Sequence, residues 1–335
     1  MQIIRKTVLV LALIVCGQAR SGFYEGFTHY EQGNYELALQ EFRPLAEEGN
    51  AFAQLYLGVM YDKGHGVPQS YSQALKWWQM SAGQGGAVAQ YNLGSMYERG
   101  RGTPRDYSEA VKWYRMAANS GLADAQYNLG NLYVKGLGIA QNFKVAAYWY
   151  GKAAEQDDAR AQLSLGIMYD DGQGITQDYS TAAGWYLKAA EQGNPVAQYN
   201  LGGLFANGLG VTKDFMQAAN WYRKAAEQGD PLAQYNLGIL YDDGQGVPPD
   251  DKLAVKWYRR AAEQGVSDAQ YNLAIMYHRG TGVPQDDVEA YKWLSIVVAG
   301  GNDDALEGRS SIAKMMTASQ VAEAQRLARA WLKNH

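Results

Sequence analysis

"AQYNLGSMYERGRGTPRD", residues 89–106, returns thirty-six positions later as "AQYNLGNLYVKGLGIAQN", residues 125–142. Three columns keep that interval down the chain without an insertion or deletion. They are Gln54, Gln90, Gln126, Gln162, Gln198, Gln234 and Gln270; Gly64, Gly100, Gly136, Gly172, Gly208, Gly244 and Gly280; and Trp77, Trp113, Trp149, Trp185, Trp221, Trp257 and Trp293. A fixed period of this size is the signature of a helical solenoid, in which each unit buries its second face only against a neighbour.

Within one unit the apolar spacing is helical. Ala89, Leu93, Met96 and Tyr97 fall on one face of a first helix, A. Tyr107, Ala110, Val111, Tyr114, Ala117 and Ala118 fall on one face of a second, B. The glycines of "GRGTP" end helix A, Pro104 cannot continue it, and Asp106 is placed to cap helix B. The expected fold is all-α, a stack of helix pairs.

Helix A also carries an interior glycine, at Gly58, Gly94, Gly130, Gly166, Gly202 and Gly238, replaced by Ala274 in the last unit. Each costs about 1 kcal/mol relative to alanine, so six together approach the net stability of an ordinary domain. Close approach by a repeated Trp or Tyr, from helix B or from the next unit, would offset that cost. The refrain thus reads as a packing code.

The 335 residues are 47% hydrophobic and 19% charged, enough to bury a large core. At the start, Arg5 and Lys6 precede an apolar run from Val8 to Val15, then Gly17 and Ala19, the layout of a secretory signal cleaved after Ala19. A lipoprotein signal acylated at Cys16 is disfavoured by the bulky Val15 before it. Cleavage would remove the one cysteine, which excludes disulfides, thiolate metal sites and a cysteine nucleophile. It would also move the formal charge from −4 to −6 through loss of Arg5 and Lys6. With no basic stripe evident to offset this, nucleic acid is not an expected partner. No later apolar run is long enough to span a bilayer.

The pattern "A-Q-x-x-L-G-x-x-Y-x-x-G-x-G-V-x-x-D" followed by "A-x-x-W-Y-x-K-A-A-E-Q-G" resembles the Sel1-like repeat, a relative of the tetratricopeptide repeat with a longer turn. It gives seven repeats over residues 51–300, after a signal peptide over 1–19 and a leading cap pair over 20–50, with closing helices over 301–335. In the last segment Thr317 and Gln320 have capping-box spacing. The resemblance implies a right-handed α-solenoid, a Sel1-like and TPR-like superhelix, whose A helices line a concave surface. It also implies a monomeric, non-enzymatic scaffold that binds a protein or peptide, here in the periplasm or outside the cell. Two alternatives belong to similar exported proteins. One is β-lactam binding or hydrolysis, known from cysteine-rich Helicobacter proteins whose disulfide pattern is missing here; the other is a secreted host-interaction factor.

No cofactor, metal or catalytic set is expected. "GHGVPQ" and its equivalents lack the third glycine or the Gly-Lys-Ser/Thr of a phosphate loop, and helices flank them where a strand is needed. "YDDGQG", at 169–174 and 241–246, lacks the alternate acids and closing Glu of an EF-hand. His29, His65, His278 and His335 fall at unrelated positions.

The candidate partner-binding residues lie on helix A. On a helical wheel Tyr91, Ser95 and Glu98 fall opposite Ala89 and Leu93, outside the seam with helix B. The equivalents of Tyr91 are Leu55, Tyr127, Leu163, Tyr199, Tyr235 and Tyr271, and those of Ser95 vary as Val59, Asn131, Ile167, Gly203, Ile239 and Ile275. A repeated tyrosine beside changing neighbours suits peptide recognition. Asn92, Asn128, Asn200 and Asn236, with Asn272, match the position where some tetratricopeptide domains hold a peptide carboxylate, although the matching repeated lysine is missing. Tyr and Asn could instead serve the stacking of units, as constant residues of a repeat usually do.

Overall fold

The computed structural model describes residues 17–334, with side chains from residue 22; residues 1–16 of the expected signal segment lie outside the described residues, as does His335. Among the described residues there are eighteen α-helices and no strand. They fall into two compact units, residues 1–168 with 172–176 and residues 169–171 with 177–335.

In the first unit α1 (Gly17–Glu31) and α2 (Tyr35–Glu47) form a leading pair. The A and B helices follow as α3 (Ala51–Lys63) and α4 (Tyr71–Gly83), α5 (Ala87–Arg99) and α6 (Tyr107–Asn119), α7 (Ala123–Lys135) and α8 (Phe143–Ala154), then α9 (Ala159–Asp171), of which residues 169–171 count with the second unit. The second unit continues with α10 (Tyr179–Glu191), α11 (Pro195–Asn207) and α12 (Phe215–Glu227), α13 (Pro231–Asp243) and α14 (Asp251–Glu263), α15 (Ser267–Arg279) and α16 (Asp287–Ala299). It closes with α17 (Asp304–Ala313) and α18 (Ala318–Asn334), both packed on α16.

Each unit is a run of α-solenoid, because its core is shared between repeats. One buried cluster joins Ala110, Val111, Tyr114, Ala117 and Ala118 of α6 to Ala125, Leu129 and Leu132 of α7. Another joins Ala218, Ala219, Tyr222, Ala225 and Ala226 of α12 to Ala233, Leu237 and Leu240 of α13, with Trp257 of α14 added. Small alanines on helix B let the next helix A approach closely, and the larger side chains on that helix fill the seam.

The polar residues finish the same joints. Every glutamine of the repeated column is buried, and its amide nitrogen donates to a backbone carbonyl eight residues earlier, as from Gln90 to Ala82 at 3.3 Å and from Gln234 to Ala226 at 3.1 Å. The acceptor lies in the last turn of helix B, where carbonyls have no helical partner. Asp106 caps α6 through Ser108 and Glu109 N–H, and equivalent side chains cap every later B helix. Helix A ends at a left-handed glycine, such as Gly100 at φ 65°. The second glycine of the turn serves a different need: a Cβ on Gly102 would sit 2.7 Å from the Tyr71 carbonyl oxygen of the preceding helix B. Both glycines therefore have structural work at a helix end.

The interior glycines Gly94, Gly130, Gly202 and Gly238 lie under the tyrosine that follows the repeated Trp, in helix B of the same repeat. A Cβ on Gly94 would be 2.6 Å from Tyr114, and one on Gly202 would be 2.8 Å from Tyr222. In the first repeat the ring is Trp78. In the last, where Ala274 replaces glycine, the helix B residue is Leu294, and both are fully buried. At the chain's end Thr317 and Gln320 exchange the two hydrogen bonds of a capping box, at 2.9 and 3.3 Å, and Trp331 sets its edge on Trp293 at 6.0 Å.

Candidate functional site

The outward side of each A helix meets the tyrosines of helix B. Tyr91, Ser95 and Glu98 are all half-buried. The Tyr91 ring lies 5.7 Å from Tyr114, and the pairs Tyr127 with Tyr150, Tyr199 with Tyr222 and Tyr235 with Tyr258 repeat that contact at 5.7, 5.8 and 6.0 Å. The helical wheel puts Tyr91 and Glu98 outside the seam; the structure corrects this, because long side chains reach around the helix edge. The Tyr114 hydroxyl donates to Glu98 Oε2 at 2.7 Å.

Other repeats supply that acceptor from the same or a neighbouring position. Tyr150 donates to Asn131 Oδ1 at 2.7 Å, Tyr186 to Asp170 at 2.9 Å and Tyr258 to Asp242 at 3.2 Å. Burial, reinforced by the adjacent carboxylate, holds Tyr114, Tyr186 and Tyr258 far above the usual phenol range, and burial pushes Tyr222 up to about 12. The Tyr114, Tyr186 and Tyr258 hydroxyls keep their protons and act as fixed donors. Burial likewise raises the Asp170 and Asp242 carboxyls, against the lowering effect of the tyrosine bond. The first acid of each "YDDGQG" thus holds a tyrosine hydroxyl.

The Asn column closes the network across repeat boundaries. The Asn128 amide lies beside Tyr91 and Tyr114 of the preceding repeat and lowers both phenols against the effect of burial, and Asn236 does the same for Tyr199 and Tyr222. Asn200 bonds with Tyr186 and Asn272 with Tyr258. Asn92 and Tyr271 are half-buried at the equivalent positions. Where the fourth repeat has Ser164 in place of Asn, Tyr150 bonds with that serine. The tyrosines of helix B were the members missed in the sequence; their signal was the second aromatic of each "WY".

What varies on this side is chemistry. In the first unit Arg160 lies 4.6 Å over the Tyr127 ring and pairs with Asp124 at 2.6 Å and with Asp158. In the second unit the positions equivalent to Asp124 and Arg160 are Val196 and Leu232, 43% and 47% exposed. Among the described residues no group of three His, Cys, Asp or Glu side chains is placed to hold a metal ion, and no helix is long and apolar enough to cross a membrane.

The Sel1 repeat family model matches residues 51–86, 87–122, 123–158, 159–194, 195–230, 231–266 and 267–297. No curated protein matches the chain. Among solved structures, a Sel1 repeat protein from Oxalobacter formigenes is 36% identical, with 93% of this chain and 90% of that one covered and a TM-score of 0.66. A protective antigen of uropathogenic Escherichia coli strains, displaying an SLR fold, is 28% identical, with 99% and 94% covered and a TM-score of 0.58.

Proposed function

Because the chain belongs to the Sel1 repeat family, we propose that it is an exported, monomeric and non-enzymatic scaffold, binding a protein or peptide partner along the concave side of its A helices. The observation that supports this reading is the division of labour among repeat positions. Tyr91, Tyr114 and Asn128 recur at the equivalent positions of most repeats and face one another across a repeat boundary, while the column of Ser95 changes more widely from repeat to repeat. Asn131 of that column accepts from Tyr150, and Val59 and Ile239 rest on the core, but the spread from glycine to isoleucine and asparagine along one half-buried column suits a partner of irregular surface.

The test is site-specific photocrosslinking in cells, with the reactive residue at Ser95 or Ile239. These positions are preferable to Tyr127 or Tyr199, whose removal would strip aromatic contacts from the fold itself. One partner protein should be captured from both wall positions and not from Met216, which is exposed on α12. Equal capture from Met216, or none from either wall position, would remove the A helices from consideration.

A further inference from the structure

Helix α14 departs from its six counterparts on one face. Lys252, Lys256, Arg259 and Arg260, with Val255 and Glu263, line an open recess of about 470 Å³ whose other edge is the turn at Gly282 and Val283. In the preceding repeat the positions of the four cations are Met216, Asn220, Arg223 and Lys224, and in the following one Val288, Lys292, Ser295 and Ile296. No other repeat carries more than two cations there. The whole-chain charge balance hides this local concentration, so the expectation of no basic stripe fails at α14.

Three of the four side chains are held in place. Arg259 donates to the Tyr277 hydroxyl at 2.9 Å, and Lys256 and Arg260 lie 5.2 and 4.9 Å over the Trp257 ring. Among the described residues no carboxylate forms an ion pair with any of the four, although Lys292 on the next B helix pairs with Glu289 at 3.0 Å. With Glu263 the recess carries four cations against one carboxylate, and positive charge held in place attracts an anion at a lower ordering cost than freely moving lysines would.

We propose that this face of α14 binds an acidic polypeptide segment in extended conformation. The four charges are strung along the helix rather than gathered on one point. Lys252, Lys256 and Arg260 follow one another at about 6 Å along the axis, and an extended chain presents side chains on one edge every ~6.7 Å. Glu or Asp at alternate positions of a peptide would match the row. A single phosphate would meet only part of the row. This inference is independent of the A-helix reading and concerns a different set of residues.

The test is fluorescence anisotropy of the full chain with a labelled peptide alternating Glu and Ser. The peptide should bind, its Gln-Ser counterpart should not, and binding should weaken steeply with salt. Replacing Lys252→Gln, Lys256→Gln and Arg260→Gln together should weaken it roughly tenfold or more, while Lys224→Gln in the neighbouring repeat leaves it unchanged. Lys252→Glu alone, at an exposed side chain, should weaken it with the melting temperature preserved, which separates loss of the site from loss of fold. Unchanged affinity in Lys252→Glu and the triple variant would overturn the proposal. So would displacement of the peptide by oligothymidylate or inorganic phosphate at concentrations where an unlabelled Glu-Ser peptide does not compete.

Discussion

Glycine in the middle of a helix is a cost that one neighbouring ring justifies. At Gly202 an added methyl would gain helix propensity of about 1 kcal/mol yet stand 2.8 Å from Tyr222. Overpacking of this kind costs about 1–3 kcal/mol. Gly202→Ala should therefore destabilise the chain by up to about 2 kcal/mol in urea unfolding. Combined with Tyr222→Leu, which copies the natural pairing of Ala274 with Leu294, the loss should be partly recovered, with a coupling of about 1 kcal/mol. Simple additivity of the two changes would contradict the contact. The glycine column was legible as a sign of close approach. The identity of the ring was not, because Trp and Tyr recur with the same interval and only the rotation of helix B decides between them.

Between elements, most of the buried glutamines accept from a second glutamine, and where that donor is missing one buried acceptor is left unpaired. Gln84 donates to Gln54 Oε1 at 2.9 Å, and Gln156, Gln228 and Gln264 donate to Gln126, Gln198 and Gln234 at 2.8 Å each. In the second repeat the donor position holds Ser120, and Gln90 Oε1 is buried with no hydrogen-bond partner. A buried acceptor left unpaired costs about 1–3 kcal/mol. Ser120→Gln should thus raise stability by about 1 kcal/mol, read as a higher denaturation midpoint with an unchanged slope; no shift would mean that the second glutamine adds nothing at this joint. Helix boundaries and caps were readable locally, since Asp106 and Gly100 act within a few residues of themselves. The second turn glycine and the reach of Glu98 to Tyr114 depend on a helix elsewhere in the chain, and a wheel drawn for one helix contains neither.

For the molecule as a whole, stability is a sum of neighbour terms rather than the property of one core. Removing a terminal contact should accordingly loosen what lies next to it. Trp331→Ala, which takes away the ring on Trp293, should cost roughly 2 kcal/mol and speed hydrogen exchange in α15 to α18 while leaving α3 to α5 unchanged. Uniform acceleration along the chain would show a single cooperative block instead. Repeat count and architecture were open to inspection because they rest on periodicity, whereas the cation row on α14 is visible only when each repeat is set against its siblings. The glutamine latch to the preceding helix B carries one more implication. It is made by the same two kinds of atom at each boundary from Gln54 to Gln270, so a join created by deleting or duplicating one whole segment is chemically indistinguishable from those already present. Such a gene can change length by recombination with its own copies and still encode a protein whose parts fit.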